Sequence, residues 1–212
     1  MQYAQANIRK LYAISALESI VFYYAFDKIF MQARGINLTQ IIIIGVIYGL
    51  TVIIAEVPSG TLSDRWSRKY TLLLGSVFLG LNTIIWAISH SFLLFIIGTI
   101  FGGLCSAFRS GTDTSLLYDS LKEIGHEKRY SAYLGRKRAI GAIGFIVAAT
   151  LGGWIGQQYG IEMTFWLTLP VIIATLVVTL TLYEPKFHKS TGDIKYWHHI
   201  TTTYRTLIKH PS

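Results

Sequence analysis

The sequence predicts an all-α integral membrane protein with six transmembrane helices and both termini on the cytoplasmic side. Three observations carry this reading. Of the 212 residues, 52% are hydrophobic and only 14% are charged, whereas an ordinary soluble domain carries about 25% charged residues. Mean hydropathy is +0.45, and the apolar residues gather in runs near the length of about 20 that a helix needs to cross a hydrocarbon core of about 30 Å. The 19 Lys and Arg residues are also lopsided. With the N-terminus inside, sixteen fall on inner segments, only Lys28 and Arg34 fall outside, and Arg109 lies near the inner end of the fourth run. That is a strong positive-inside bias. The net charge of +8 therefore reports topology, and no soluble basic domain is present to bind nucleic acid. A single cysteine, Cys105, excludes an internal disulfide framework and a cysteine-based metal cluster.

Residues 1–10 read as a cytoplasmic N-terminus and 11–183 as the six-helix bundle, with spans near 11–30, 40–59, 70–89, 92–112, 139–159 and 162–183. The first span is too long, and too interrupted by Glu18, for a cleaved signal peptide, and no small-residue cleavage site follows it. The second contains Ile41-Ile42-Ile43-Ile44, which excludes the alternation of a membrane β-strand. Pro58 near its end and Gly60 just beyond permit a sharp reversal. Only His90-Ser91 joins the third and fourth spans on the outside. The stretch 114–135 is the long inner connection, mixed in charge and helical in character, so the spans fall into a 3+3 arrangement of the kind built from inverted repeats. In 184–212, Ile194, Trp197, Ile200, Tyr204 and Leu207 follow a helical period with basic residues largely elsewhere on the wheel. This reads as a basic amphipathic cytoplasmic tail or the start of a linker.

Charged groups inside spans are costly and are functional candidates by default. Glu18 is the most deeply placed, either as part of a central cavity or as a structural hydrogen-bonding group. Asp27 is nine residues later, about half a turn out of phase. An undistorted helix cannot aim both carboxylates into one cavity, so Glu18 is preferred. Glu56 lies near the inner end of span two. Arg109 and Asp113 are four apart and are expected to share one face of span four, beside Asp64 and Arg68, as a buried pair or a four-charge cluster. Asp119 reads as a solvated loop acid, and the Tyr23-Tyr24 pair either lines a cavity or packs between helices.

The most informative stretch is Gly60-Thr-Leu62-Ser-Asp64-Arg65-Trp-Ser67-Arg68-Lys69, in which Asp64 and Arg68 can pair at i,i+4. It resembles the signature loop of the major facilitator superfamily, G-x-L-x-D-R-x-G-R-K, with Ser67 where the family usually has glycine, and it falls between spans two and three where that family places it. The resemblance covers essentially the whole chain, as the N-terminal six-helix half of a twelve-helix secondary transporter. It implies alternating access, a loop of Asp64 and its basic neighbours that latches onto a C-terminal half, and a site in the cell (plasma or inner) membrane. It also implies a small-molecule substrate, coupling to protons or to the substrate's own gradient, and either a missing C-terminal half or a second copy as partner.

Two further family patterns are partial. The fourth-span R-x-x-x-G reads Gly98 to Gly102, so the arginine's proton-linked role is not carried over. The fifth-span exporter pattern G-x-x-x-G-P-x-x-G-G survives as Gly144, Ala148, Ala149, Gly152 and Gly153, without its proline. Small residues at that spacing also let membrane helices approach closely, so these glycines read first as packing positions. No zinc, phosphate-loop or nucleophile-elbow pattern is present, and no cofactor or enzyme activity is expected. A transport-incompetent scaffold or receptor on the same fold is the alternative.

Overall fold

Short polar caps decide where several helices begin. The computed structural model describes residues 2–185. Asn37 accepts from the backbone N–H of Gln40 while the Gln40 side chain accepts from that of Asn37, a reciprocal capping box. Ser67 and Ser91 cap the next two helices through the N–H groups of Tyr70 and Leu94. The elements are α1 (Gln2–Ser19), α2 (Asp27–Ala33), α3 (Leu38–Arg65), α4 (Arg68–Ile88), α5 (Phe92–Arg109), α6 (Thr112–Glu123), a 3₁₀ turn (Glu127–Arg129), α7 (Tyr130–Tyr159) and α8 (Ile161–Leu180). Residues 186–212, most of the expected amphipathic tail, lie outside the described residues.

Among the described residues, five stretches are long and apolar enough to cross a membrane: α3, α4, α5 with α6, the 3₁₀ turn with α7, and α8. The chain is a multi-pass membrane protein, all-helical over the described residues. The first expected span differs from its reading. Instead of one helix over 11–30, α1 starts at Gln2 and stops at Ser19, and residues 20–26 are non-helical before α2 begins. That stretch, Ile-Val-Phe-Tyr-Tyr-Ala-Phe, is rich in β-branched and aromatic residues, which lose rotamer freedom in a helix. Tertiary contacts then compensate, as set out below.

Two other helix ends also differ from their expected bounds. α3 runs through Pro58 and Gly60 to Arg65, so the reversal occurs at Trp66–Ser67. A proline removes one helical hydrogen bond, and in membranes hydroxyl groups re-satisfy freed backbone groups. Next to it, Ser59 Oγ bonds the carbonyls of Glu56 and, on α5, Ala107. α7 begins nine residues before the expected span because the polar segment from Tyr130 continues the same helix.

α4 packs most extensively against α5 and α8, α3 against α5, and α1 against α7 and α8. Tyr23, Phe30, Phe95 and Phe165 anchor one core cluster. Leu11, Ile14, Leu72 and Leu116 anchor a second. Between helices the buried polar residues are mostly Ser and Thr. Thr71, Ser76, Thr83, Thr99, Thr175 and Thr179 each return a hydroxyl to the carbonyl one turn back, so close helix contact leaves no orphan donor there. Arg34 ties three elements, donating to Glu162 of α8 at 2.6 Å and to the Ser89 carbonyl at 3.2 Å while lying over the Phe30 ring.

Candidate functional site

Helices α1 to α7, with the broken stretch between the first two, line a cavity of about 840 Å³. Glu18 enters it from the last turn of α1 and forms an ion pair with Arg109 at the end of α5, the two side chains being 17% and 14% exposed. Gly75 makes room for the arginine, since a Cβ there would come within 2.8 Å of Arg109 Cγ. Asp27, at the start of α2, lines the same cavity and pairs with its neighbour Lys28 at 2.9 Å. The expectation that helix geometry forbids both carboxylates in one cavity is therefore corrected. It holds for a straight helix, and this helix is broken between them.

Tyr23 and Tyr24 divide the two roles considered for them. Tyr23 is buried, stacked on Phe165 at 4.2 Å and hydrogen-bonded to Asn82 and Thr83. Tyr24 faces the cavity. Asn82 on α4 also lines it and donates to the Gly98 carbonyl at 2.9 Å. Trp86 donates to the Phe95 carbonyl at 3.1 Å. Its indole fills the space beside Gly98, where a Cβ would lie 2.7 Å from Trp86 Nε1. Glycine at 98 is thus what this tryptophan requires.

Arg109 and Asp113 do not share a helix face. Gly111, at φ +74°, separates α5 from α6, a conformation that favours glycine. Arg109 turns to Glu18, while Asp113 pairs with the buried Lys137 of α7. Glu56 is exposed and accepts from Ser110 Oγ at this same break, at 3.2 Å. The cluster expected of Asp64, Arg68, Arg109 and Asp113 resolves into two separate sets.

The second set lies at the signature loop. Arg68 stands between Asp64, 3.9 Å away and 70% exposed, and Asp119 of α6, which is 11% exposed. Asp119 is a buried partner of Arg68 and not a solvated loop acid, because α6 folds back against α4. Glu184, just past α8, accepts from Ser67 Oγ at 2.8 Å and from the backbone N–H groups of Arg68 and Lys69 at 3.0 and 3.2 Å. A carboxylate here meets the free N–H groups and positive end of α4, and Ser67 supplies the hydroxyl that the family's usual glycine lacks. Leu62 is half-buried, Arg65 is exposed, and a Cβ on Gly60 would meet open space. Lys69 Nζ lies 5.9 Å over the Tyr70 ring.

Three α7 glycines face the first crossing, Gly144 against α1 and Gly152 and Gly153 against the broken stretch. A Cβ on Gly144 would come within 3.1 Å of the Ala16 carbonyl oxygen, and one on Gly153 within 3.1 Å of the Phe26 ring. On Gly152 it would overlap the Phe22 carbonyl. Sequence reasoning passed over Asn82, Lys137 and Glu184. Asn82, an amide amid an apolar span, was the one with a visible signal.

A sequence profile of the Major Facilitator Superfamily matches residues 11–212. An uncharacterized MFS-type transporter of Methanocaldococcus jannaschii is 28% identical over 78% of this chain and 42% of its own length. The inner membrane transport protein YajR of Escherichia coli is 32% identical over 65% of this chain and 28% of its own. Multidrug resistance protein 1 of Bacillus subtilis is 24% identical over 70% and 37%. The chain spans less than half the length of these relatives.

Proposed function

Because the chain belongs to the Major Facilitator Superfamily, we propose that it is the N-terminal six-helix half of a secondary transporter that moves a small solute by alternating access. The observation that carries this reading is the Glu18–Arg109 ion pair in the wall of the cavity. In this reading α1 and α2, joined through the broken stretch, make the first crossing, and both termini are cytoplasmic. Glu18, with Asp27 nearby, contacts substrate or carries a coupling proton. A proton or a cationic substrate competes with Arg109 for Glu18, and that exchange distinguishes two states. A ligand can shift alternating access only through such differential binding.

The exposed carboxylate of Asp64 and the open face at Gly60 support a latch that engages a complementary half, either a C-terminal six-helix unit or a second copy. Relatives named for multidrug resistance favour efflux across the cell membrane. The test is transport by membrane vesicles carrying Glu18→Gln. The expected result is slowed transport with a flattened pH dependence. An unchanged rate and pH profile would remove Glu18 from the proposal.

A further inference from the structure

We propose that Thr168 of α8 and Gly152 of α7 are positioning residues that hold the first crossing broken at residues 20–26, and so bring Glu18 and Asp27 to one cavity. The importance of that outcome rests on the functional reading above; the geometry does not.

In an unbroken helix the Phe22 N–H would bond the Glu18 carbonyl four residues back, and the two carboxylates would diverge by about half a turn. Here the Phe22 N–H donates instead to Thr168 Oγ at 3.2 Å. Thr168 is fully buried, and its hydroxyl donates onward to the Thr164 carbonyl at 2.7 Å. One hydroxyl thus accepts from the broken stretch while remaining satisfied in its own helix. Within a membrane an interrupted backbone persists only where such a partner exists.

Gly152 supplies the second constraint. The Phe22 backbone lies directly against it: a Cβ on Gly152 would overlap the Phe22 carbonyl oxygen and sit 3.2 Å from Phe22 Cα. The obstruction is main chain on both sides and cannot swing away as a side chain would. Tyr23, stacked on Phe165 and bonded to Thr83, locks the next residue inward and leaves Tyr24 facing the cavity.

The experiment places cysteine at one position at a time, Glu18→Cys or Asp27→Cys, in a Cys105→Ser background of the intact protein. It reads the alkylation rate by a charged, membrane-impermeant methanethiosulfonate. Both positions should react. Adding Thr168→Val should slow labelling at one of them by about tenfold, the shift expected when one buried donor loses its acceptor, and Gly152→Ala should slow it in the same direction by forcing the Phe22 backbone away. Thr168→Ser, which keeps the hydroxyl, should preserve it. Unchanged labelling in both Thr168→Val and Gly152→Ala overturns the inference, as does an equal loss in Thr168→Ser. If Gly152→Ala does not reach the membrane, the Thr168 pair decides alone. Altered labelling, combined with normal transport by Glu18→Gln and Asp27→Asn, would retain the positioning role and discard the functional reading.

Discussion

Arg109 and Arg68 end up in contrasting surroundings. Arg109 has one ion-paired carboxylate, Glu18, across the helix boundary in the cavity wall. Arg68 lies between two carboxylates, and its own backbone N–H is held by a third, Glu184. A group with one partner must surrender it to accept another, whereas a group with several can lose one and stay in place. Under the proposed transport cycle the cavity arginine is the one placed to exchange partners, and the loop arginine the one held in place beside the exposed Asp64.

The sharpest break of that contrast is Arg109→Gln. It leaves Glu18 without its cation, and loss of one partner of a largely buried pair costs about 3 kcal/mol. Denaturation of the detergent-solubilised protein should show this, with partial recovery in the Glu18→Gln, Arg109→Gln double variant. Asp119→Asn should cost less, about 2 kcal/mol, the worth of one charge-assisted hydrogen bond, because Asp64 and the anchored backbone still restrain Arg68. Glu184→Ala removes the acceptor at the start of α4 and should cost about 1 kcal/mol, as lost helix caps do. Asp64→Asn should shift stability by less than about 0.5 kcal/mol, since its carboxylate is mostly solvated. The same variant should lower transport turnover while leaving apparent substrate affinity intact. Equal losses in both would mean that Asp64 does not act as a latch.

The helices whose apolar runs are bounded by caps or by short polar connections were legible in the sequence, α4 and α8 most of all. The signature loop was legible because its chemistry is compressed into ten consecutive residues. The break in the first crossing was not, because residues 20–26 have the composition of a membrane span and their conformation is decided by Thr168, 146 residues away from Phe22. A separation of 51 residues likewise hid Asp119, the buried partner of Arg68, and Glu184 fell just past the edge of an apolar run. Glu18 stood out in the sequence by its depth alone. Its relation to Asp27 was not legible, because residue spacing gives the relative facing of two side chains only along an unbroken helix.

Asn7 in α1 donates to the Tyr183 carbonyl at 2.6 Å and accepts from the Tyr183 N–H at 2.9 Å, 176 residues later, while Lys10 donates to the Thr181 carbonyl. These bonds give the bundle a history. At a ribosomal rate of about 5–20 residues per second, α1 waits roughly ten to thirty seconds for the segment that satisfies it. Until then the Asn7 amide and the Lys10 ammonium lack these partners, so the contact between α1 and the end of α8 can form only after the last described helix has been made.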